Sequence, residues 1–232
     1  MTDSWLGFWN RPHSIYVNER HLRVHCRRVA DDILSVLPGE PGLRVLDYGC
    51  GDALDADRIA ARVGRLFLYD AAPAVQARLR KRFARVPNIT VLDDAGLAAL
   101  GEAALDVIVV FSVIQYLPRS ELPALARDWR RPLRPGGRLI VADIIPPEVG
   151  MMADIRSLLA TASAHGFLLA ALAGLVATFF SDYRQLRQRL GFAVYSETEI
   201  AALLNAAGFA PALQARNLGF HPARRTVIAR AV

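Results

Sequence analysis

Apolar residues along the chain first follow a helical period and then alternate between short strand-like runs and helix-like segments. From residue 19 to residue 37 they recur every three to four positions, which predicts an amphipathic helix that Pro38-Gly39 ends. The apolar positions of this helix are Leu22, Val29, Ile33 and Leu37. The segment before it, residues 1–18, is rich in aromatic side chains.

Five short apolar runs then predict β-strands, at residues 43–46, 66–69, 89–92, 106–111 and 138–142. Helix-like segments lie between them, near residues 55–63, 74–83 and 120–131, and residues 134–137 (Arg-Pro-Gly-Gly) predict a turn. The run 106–111 is apolar nearly throughout, as is typical of a central parallel strand that is buried on both faces. Alternating strands and helices predict an α/β, Rossmann-like, doubly wound and mostly parallel sheet.

The alternation stops at Pro146-Pro147. Residues 148–195 hold two very apolar, helix-like stretches, and residues 157–181 carry no formally charged side chain, which is long enough to span a bilayer. We expect no crossing, because strands of one sheet precede and follow the segment and His165-Gly166 divides it. Three interpretations remain: a cap over an apolar pocket, an oligomer interface, or a membrane contact beside Arg184, Arg187 and Arg189.

The C-terminal part returns to regular elements. Ser196-Glu197-Thr198-Glu199 forms a capping box that starts a helix, which ends at Gly208. Strand-like residues 209–215 and 226–229 then predict a terminal antiparallel hairpin, which gives seven strands in all. The whole chain, residues 1–232, is expected to form one domain with an apolar helical insertion at residues 146–195.

Composition limits the classes of binding partner and the cellular compartment that we expect for this protein. The net charge is +6, but Lys81 is the only lysine and the arginines are scattered, which resembles codon bias more than a nucleic-acid surface. The two cysteines, Cys26 and Cys50, do not form a disulfide framework or a metal spacing. The N-terminus has no signal-peptide pattern, so we expect a bacterial, cytoplasmic protein, with peripheral contact to the inner membrane as an alternative.

Polar residues follow four successive predicted strands. The first strand ends in Asp47-Tyr48-Gly49-Cys50-Gly51-Asp52, where the glycines let a ligand approach the backbone. The other three strands end in Tyr69-Asp70, in Asp93-Asp94, and in Ser112 with Gln115-Tyr116. A carboxylate such as Asp70 can accept hydrogen bonds from both hydroxyls of a ribose. These groups share one edge of the sheet, which predicts a ligand site there.

On these motifs, together with Leu133-Arg134-Pro135-Gly136-Gly137-Arg138-Leu139 and Ala207-Gly208-Phe209, the chain resembles the class I S-adenosylmethionine-dependent methyltransferases. The resemblance covers about residues 40–145 and 196–232 and is specific for the family but silent on the substrate. Leu54 stands where a nicotinamide-binding fingerprint has its third glycine, which disfavours a dehydrogenase. The resemblance implies S-adenosylmethionine (SAM) as the cofactor, S-adenosylhomocysteine (SAH) as its product, and no metal.

The resemblance also implies roles for individual residues. The cofactor site would comprise Asp47, Tyr48, Gly49, Gly51, Asp70, Ala71, Asp93, Asp94, Ser112, Gln115 and Tyr116. Within it, Asp47 and the two glycines would contact the methionine part, and Asp70 the ribose. Either Asp93 or Asp94 would meet the adenine amine, and Ala71 the adenine face. Ser112 would lie near the methionine amine, and Gln115 and Tyr116 would line the reaction side.

The sequence says less about the residues that bind the methyl acceptor. Similar methyltransferases fold their N-terminal segment over the cofactor, so residues 1–38 are expected to form a helical lid, although its aromatics could equally pin the terminus to the core. The catalytic candidates are His13, Tyr16 and Tyr116. The other histidines, at positions 21, 25, 165 and 221, are further candidates for a general base, which is needed only if the acceptor must lose a proton. His21 and His25 lie one turn apart, but without a third ligand nearby they do not suggest a metal site.

We therefore expect SAM-dependent methylation, at oxygen or carbon, of a small lipophilic acceptor such as a lipid, quinone, polyketide or isoprenoid intermediate. No nucleic-acid partner is expected, whereas membrane contact or a homodimer through residues 157–190 is an alternative. An RNA or protein methyltransferase is less favoured, because the chain contains neither an Asn-Pro-Pro-Tyr motif nor a Pro-Cys nucleophile. A cofactor-binding protein without catalytic activity is a further alternative, because a protein can keep its binding loop after it has lost its activity.

Overall fold

A computed structural model of the chain describes residues 4–11, 15–179 and 191–232. Seven strands form one sheet in the order β3-β2-β1-β4-β5-β7-β6. The strands are β1 (Arg44–Tyr48), β2 (Arg65–Tyr69), β3 (Ile89–Leu92), β4 (Leu105–Phe111), β5 (Leu133–Ile144), β6 (Phe209–Leu213) and β7 (Arg225–Ala231). The first five pair in parallel, and β7 runs antiparallel to both β5 and β6. The predicted sheet and terminal hairpin are confirmed.

Helices cover both faces of this sheet. They are α1 (Trp5–Trp9), α2 (Glu19–Val36), α3 (Ala56–Ala60), α4 (Pro73–Phe83), α5 (Asp94–Ala98), α6 (Leu122–Arg130), α7 (Met151–Ala164), α8 (Leu168–Phe179) and α9 (Glu197–Ala206). On one face Ile33 of α2 packs with Val45 and Leu66, and on the other Trp129 of α6 and Leu204 of α9 pack with Ile108. Because β1 pairs with β2 on one side and β4 on the other, the order reverses between β1 and β4, where ligands bind in open α/β sheets.

The predicted turn at residues 134–137 is wrong in one respect, because these residues lie inside β5. Leu133 already pairs with Leu105, and the ladder resumes at Arg138 opposite Val107. The four residues between form a bulge in which Gly136 has a φ of +72°. Arg134 in this bulge donates from Nε to Asp106 Oδ1 over 2.8 Å, which ties the bulge to the neighbouring strand.

The capping box predicted at the start of α9 is confirmed. The backbone N–H of Glu199 donates to Ser196 Oγ over 3.2 Å, and the N–H of Ser196 donates to Glu199 Oε2 over 2.8 Å. The helix ends at Ala206, before Gly208, whose φ of +84° suits a residue without a side chain. The next strand, β6, ends at Leu213, two residues earlier than predicted.

The N-terminal segment contains a short helix, α1, that the sequence did not reveal. Its Trp5 and Phe8 are buried, and they pack with Tyr116 and Phe192. Asn10, just after the helix, accepts a hydrogen bond at Oδ1 from the N–H of Ala74 in α4 over 2.9 Å. The segment therefore reaches from the loop after β4 to the start of α4.

The predicted division of the apolar insertion into two helices is confirmed, with the break at His165 and Gly166 between α7 and α8. Phe167 at this break is buried and stacks on His21 of α2, with ring centroids 4.9 Å apart. Arg20 donates from Nε to the carbonyl oxygen of His165 over 2.6 Å. Within the described residues, no helix has both the length and the apolar character that a membrane crossing requires. The predicted basic edge at Arg184, Arg187 and Arg189 lies outside the described residues.

Candidate active site

A cavity of about 1050 Å³ opens at the carboxyl ends of β1, β2 and β4, beneath α1 and beside α2. Most of the residues that the sequence proposed for the site line it. Those residues are Tyr16, Asp47, Tyr48, Gly49, Gly51, Asp70, Ala71, Ser112, Gln115 and Tyr116. Three of the four predicted strand ends, those of β1, β2 and β4, therefore converge at the cavity, whereas the end of β3 does not line it.

The glycine loop after β1 folds back onto the end of β2. The N–H groups of Gly49 and Cys50 both donate to the carbonyl oxygen of Tyr69, over 2.7 and 3.1 Å. Gly49 has a φ of +75°, and a Cβ there would lie 2.4 Å from Cγ2 of Val113. Gly51 has a φ of +57° and open space where its Cβ would be. Glycine at position 49 is thus required by the packing of the loop against the end of β4.

Asp70 fixes this loop through its carboxylate. Oδ2 accepts from the N–H of Gly51 over 3.0 Å, and Oδ1 accepts from the N–H of Ala72 over 2.9 Å. Burial raises the pKa of Asp70, while these two backbone hydrogen bonds oppose the rise. Each oxygen keeps a second lone pair, so the carboxylate can still accept hydrogen bonds from two hydroxyls in the cavity.

Asp47 is the most buried carboxylate of the cavity, with only 6% of its surface exposed. Burial, and secondarily the charge of Asp70, raises the pKa of Asp47 to about 7. The group thus changes charge near neutral pH. A cationic ligand beside it would favour the ionised form, since an opposite charge lowers the pKa of an acid.

Asp93 and Asp94 do not line the cavity. Asp93 caps α5 by accepting at Oδ1 from the N–H of Gly96 over 2.8 Å, and Asp94 accepts at Oδ1 from the hydroxyl of Tyr69 over 2.8 Å. Both carboxylates thus have structural partners at the end of β3. Contact of either one with an adenine amine stays a prediction.

Aromatic rings form the wall of the cavity opposite the glycine loop. The ring of Tyr116 makes edge-to-face contacts with Trp5 at 4.9 Å, with Trp9 at 5.2 Å and with Phe192 at 5.5 Å between centroids. The neighbouring Gln115 is buried, and among the described residues its Oε1 has no hydrogen-bond partner. An apolar wall with one free acceptor atom suits a ligand that is mainly apolar and carries a donor.

The adjoining ends of β4 and β5 hold a network that the sequence did not reveal. Ser112 and Asp143 both have left-handed backbones, with φ values of +56° and +63°, and Ser112 Oγ donates to Asp143 Oδ2 over 2.6 Å. Arg224 donates from Nη1 to the same oxygen over 2.6 Å and from Nη2 to Asp154 Oδ1 over 2.9 Å. Strained backbone of this kind in non-glycine residues is common at functional sites. Asp143 could have been found as a further polar strand end, but nothing in the sequence links it to Arg224.

The histidines of α2 line both this network and the main cavity, and Tyr16 lies beside them. The Tyr16 ring contacts those of His21 and His25, with centroids 5.4 and 5.3 Å apart. Burial raises the pKa of Tyr16 above its usual range, and it lowers the pKa of His21 to about 4 and that of His25 in the same direction. The third catalytic candidate, His13, lies outside the described residues. Across the part of the chain that the structure describes, no group of three or more His, Cys, Asp or Glu side chains could hold a metal ion.

A second cavity of about 200 Å³, which we call the side niche, adjoins the main one. The two cavities share Ser112, Asp143, Arg224, His21, His25 and Phe111. Helix α7 lines the side niche with Asp154, Ser157, Leu158 and Thr161, whereas the described residues between 146 and 195 that line the main cavity are Gly191, Phe192 and Ala193. Helix α7 thus covers a polar space that has Asp143 and Arg224 on its floor. The interpretation of residues 146–195 as a cap over an apolar pocket stays a prediction.

Comparison with known proteins agrees with this geometry. The methyltransferase domain family matches residues 19–214. A demethylmenaquinone methyltransferase of Tropheryma whipplei is 27% identical over 185 residues, 80% of this chain and 72% of the relative. A malonyl-[acyl-carrier protein] O-methyltransferase of Serratia marcescens is 28% identical over 128 residues, 55% of this chain and 49% of the relative. The chain covers between 33% and 49% of the length of the first three curated relatives.

Among solved structures, magnesium protoporphyrin IX methyltransferase from Synechocystis PCC 6803 with bound SAH superposes with a TM-score of 0.60 at 18% identity, covering 98% of this chain and 93% of that one. This likeness concerns the fold, whose strand order and terminal antiparallel strands are those described above. The family match covers most of the chain and includes the glycine loop and Asp70, and of the aromatic wall Tyr116 and Phe192. The chain therefore belongs to the methyltransferase domain family and has the Rossmann-like fold of the class I SAM-dependent methyltransferases.

Proposed function

We propose that the chain transfers the methyl group of SAM to a small, lipophilic acceptor. The observation that carries this proposal is the main cavity itself, in which the Asp70 carboxylate and the glycine loop face an aromatic wall. Carboxylates and close backbone approach suit a nucleoside and an amino-acid cation, whereas the rings suit an apolar partner. SAM and a lipophilic acceptor have these two characters.

The residues of the cavity fit SAM by their chemistry. We assign Asp47, Gly49 and Gly51 to its methionine part, Asp70 to the ribose hydroxyls and Ala71 to the adenine face. Gly51 has open space beyond its Cα, and Asp70 has lone pairs left to accept hydroxyl protons. Tyr48 and Ser112 complete the cofactor side, and Asp93 or Asp94 is assigned to the adenine amine. Bound SAM supplies a methyl group on a sulfonium sulfur, which needs positioning more than activation.

The residues on the acceptor side exclude water and hold the acceptor in line. Tyr116 is central to this wall, because its ring contacts three other aromatic rings. Tyr16 is raised in pKa by burial and thus stays protonated, which makes it a hydrogen-bond donor and not a base. We retain His13, Tyr16 and Tyr116 as catalytic candidates in this positioning sense, with Gln115 Oε1 as an acceptor for a donor group.

The enclosing segments belong to the same proposal. Residues 1–38 act as a lid, for which the bond from Ala74 to Asn10 and the burial of Trp5 provide support. Residues 146–195 act as a cap, whose exposed Met151, Met152 and Leu169 would suit contact with an apolar surface. We propose a cytoplasmic protein that takes its acceptor as a small molecule, with the cap as the place of any membrane or homodimer contact. The names of the quinone and acyl-carrier relatives are consistent with a small acceptor.

Calorimetric titration with SAM and SAH, followed by a radiolabel transfer assay on lipophilic phenols, quinols and fatty acyl compounds, tests the proposal. We expect both nucleosides to bind at micromolar to low millimolar concentration and at least one acceptor to be methylated. Absence of binding for both nucleosides at millimolar concentration would contradict it. Binding without turnover of any acceptor would favour a cofactor-binding protein without activity.

A further inference from the structure

The side niche is a polar space that adjoins the main cavity. It meets the main cavity at Ser112, which ends β4, and at His25, which projects from α2. An acceptor held by the aromatic wall could therefore extend one polar group into the niche. The chemistry of that group follows from what lines the niche.

Charge in the niche is fixed by one arginine and two aspartates. Arg224, whose side chain is 13% exposed, bridges Asp143 and Asp154 at 2.6 and 2.9 Å. Asn217 donates from Nδ2 to the other oxygen of Asp143 over 3.2 Å, so this carboxylate is held in place from three sides. Two carboxylates and one guanidinium leave an excess of negative charge. The niche thus disfavours an anionic group and favours a neutral hydrogen-bond donor.

Three imidazoles face this charge in neutral form. Burial lowers the pKa of His21, His25 and His221. His221 is only 7% exposed, and its Nε2 lies 3.5 Å from Asp154 Oδ1. The niche therefore brings neutral imidazoles and fixed carboxylates together, which suits a polar group that donates a hydrogen bond.

His25 is the imidazole best placed to react. His21 is engaged, because its ring stacks on Phe167 and its Nδ1 accepts from the N–H of Val17 over 3.4 Å. His221 lines only the niche, whereas His25 lines both cavities at their junction. The charge of Asp143 acts on His25 in the direction that favours its protonated form. A proton taken up by His25 is therefore stabilised by a carboxylate that is already fixed.

We propose that the side niche receives an ionisable hydroxyl of the acceptor, a phenol or an enol, and that His25 is the base that removes its proton. This inference rests on the proposed function and narrows its acceptor class. The hydroxyl proton passes to a ring nitrogen of His25, and the oxygen lone pair forms the new bond to the methyl carbon. The electron pair of the broken carbon–sulfur bond stays on sulfur, which becomes a neutral thioether. The imidazolium then releases its proton to solvent.

The groups that face His25 set the expected pH dependence. They are Tyr16 from the N-terminal segment, His21 from the same helix, Asp143 and Arg224 from the β5 and β7 ends, and Asp154 and His221 across the niche. Burial dominates over the opposing charge of Asp143 and keeps His25 unprotonated near neutral pH. At saturating SAM, kcat should thus be constant around neutral pH and fall only in acid, where His25 gains a proton.

A chromophoric phenol tests uptake of a hydroxyl by the side niche without turnover. We would add a lipophilic 4-nitrophenol derivative to the SAH-bound protein at a pH just above the pKa of the free probe. Because the niche disfavours an anion and neutral His25 can accept a hydrogen bond, the expected result is a phenol absorption band on binding to the wild type and a smaller phenol fraction with His25→Leu. His165→Leu is the matched control, because this imidazole is exposed and outside both cavities. Failure of the probe to bind, or the same phenol fraction in the wild type and His25→Leu, would overturn the assignment.

Methyl transfer to phenolic acceptors provides the second test. His25→Gln should lower kcat by a factor of about 10² to 10⁴, leave the KM for SAM within about threefold, and remove the acid limb of the pH profile. A loss below tenfold with an unchanged profile would contradict a base. Calorimetry with SAH separates the two proposals. If the wild type binds SAH but His25→Gln has wild-type kinetics, only the assignment of His25 as the base fails. If the wild type does not bind SAH, the proposed function itself fails.

Discussion

Asp47 illustrates how a single side chain can oppose folding while serving a site. Asp47 is 6% exposed, and among the described residues it forms no ion pair, whereas Asp70 is anchored by two backbone N–H groups. The raised pKa of Asp47, about 7, means that the charged form is unfavourable in the ligand-free protein. Two acids on neighbouring strands thus differ in role. Asp70 positions the glycine loop, whereas Asp47 is expected to ionise fully when a cation binds beside it.

The first prediction is that Asp47→Asn stabilises the free protein but weakens SAM binding. A folded-state pKa raised from 3.8 to about 7 contributes stability that is complete below pH 4 and is lost as the pH rises through 7. At pH 8 the neutral amide should therefore raise the free energy of unfolding by roughly 2–4 kcal/mol, since each pKa unit is worth about 1.4 kcal/mol. Urea unfolding at pH 5 and pH 8 measures this. An equal effect at both pH values would contradict it.

The second prediction concerns Asp70. Asp70→Ala should weaken binding of both SAM and SAH by about 1.5–3 kcal/mol, because it removes charged hydrogen bonds to the ribose. Calorimetry at pH 8 is the measurement, with Asp57→Ala, an exposed acid of α3 outside the cavity, as the matched control. Binding that stays within twofold of wild type would exclude Asp70 from the ribose site. Asp93→Asn and Asp94→Asn in the same assay identify which of the two, if either, meets adenine.

The glycine loop shows how neighbouring elements constrain each other. Its backbone hydrogen bonds run to the end of β2, whereas the position of Gly49 is limited by Val113 at the end of β4. The loop therefore closes only when both strands flanking β1 are in register. This dependence links formation of the cavity to completion of the central sheet.

The third prediction is that Gly49→Ala is more damaging than Gly51→Ala. Both residues have positive φ values, which cost an alanine about 1–2 kcal/mol, but only at position 49 would a Cβ meet another side chain, 2.4 Å from Val113 Cγ2. Thermal unfolding of both variants measures the difference, and SAH titration the effect on the site. Adding Val113→Ala should recover part of the stability of Gly49→Ala. No recovery would mean that backbone strain alone explains the loss.

Elements with a strong local signal were predictable from sequence, and elements that depend on distant partners were not. The apolar run of β4 and the capping box of α9 are encoded in adjacent residues, so both were placed within one or two positions. The bulge in β5 was taken for a turn, because Pro135-Gly136 is typical of turns and only the pairing with β4 shows that the strand continues. The helix α1 depends on burial of Trp5 against Tyr116, more than 100 positions away, which no local pattern records.

At the scale of the whole molecule, the candidate site is assembled from the start, the middle and the end of the chain. Asp143 and Arg224 are 81 positions apart in sequence, yet they share a hydrogen bond beneath α7. The sequence predicted the cofactor side because its residues follow strands in a recurrent order. It could not predict the side niche, because Arg224 precedes β7 in a loop without a motif and reaches the site only through the antiparallel return of that strand.

The last prediction follows from two sets of buried groups that act oppositely on stability between about pH 4 and pH 7. Asp47 has a raised pKa, so acidification through this range stabilises the native state. His21, with its pKa lowered to about 4, and His25 and His221, shifted in the same direction, are neutral when folded but take up protons when unfolded. The contribution of these histidines to the free energy of unfolding is therefore complete above the unfolded pKa of 6.5, and it is lost as the pH falls toward 4.

Because the two effects oppose each other, they partly cancel in the wild type, and single variants should separate them. In Asp47→Asn the stability should fall steeply from pH 6.5 to pH 4.5, since only the histidine effect remains. In His21→Gln the fall should be shallower than in the wild type, whereas His165→Gln, an exposed imidazole, should follow the wild-type curve. Urea unfolding at half-unit pH steps measures all four curves. Parallel curves for Asp47→Asn and wild type would contradict the raised pKa of Asp47 and its proposed ionisation beside a cationic ligand.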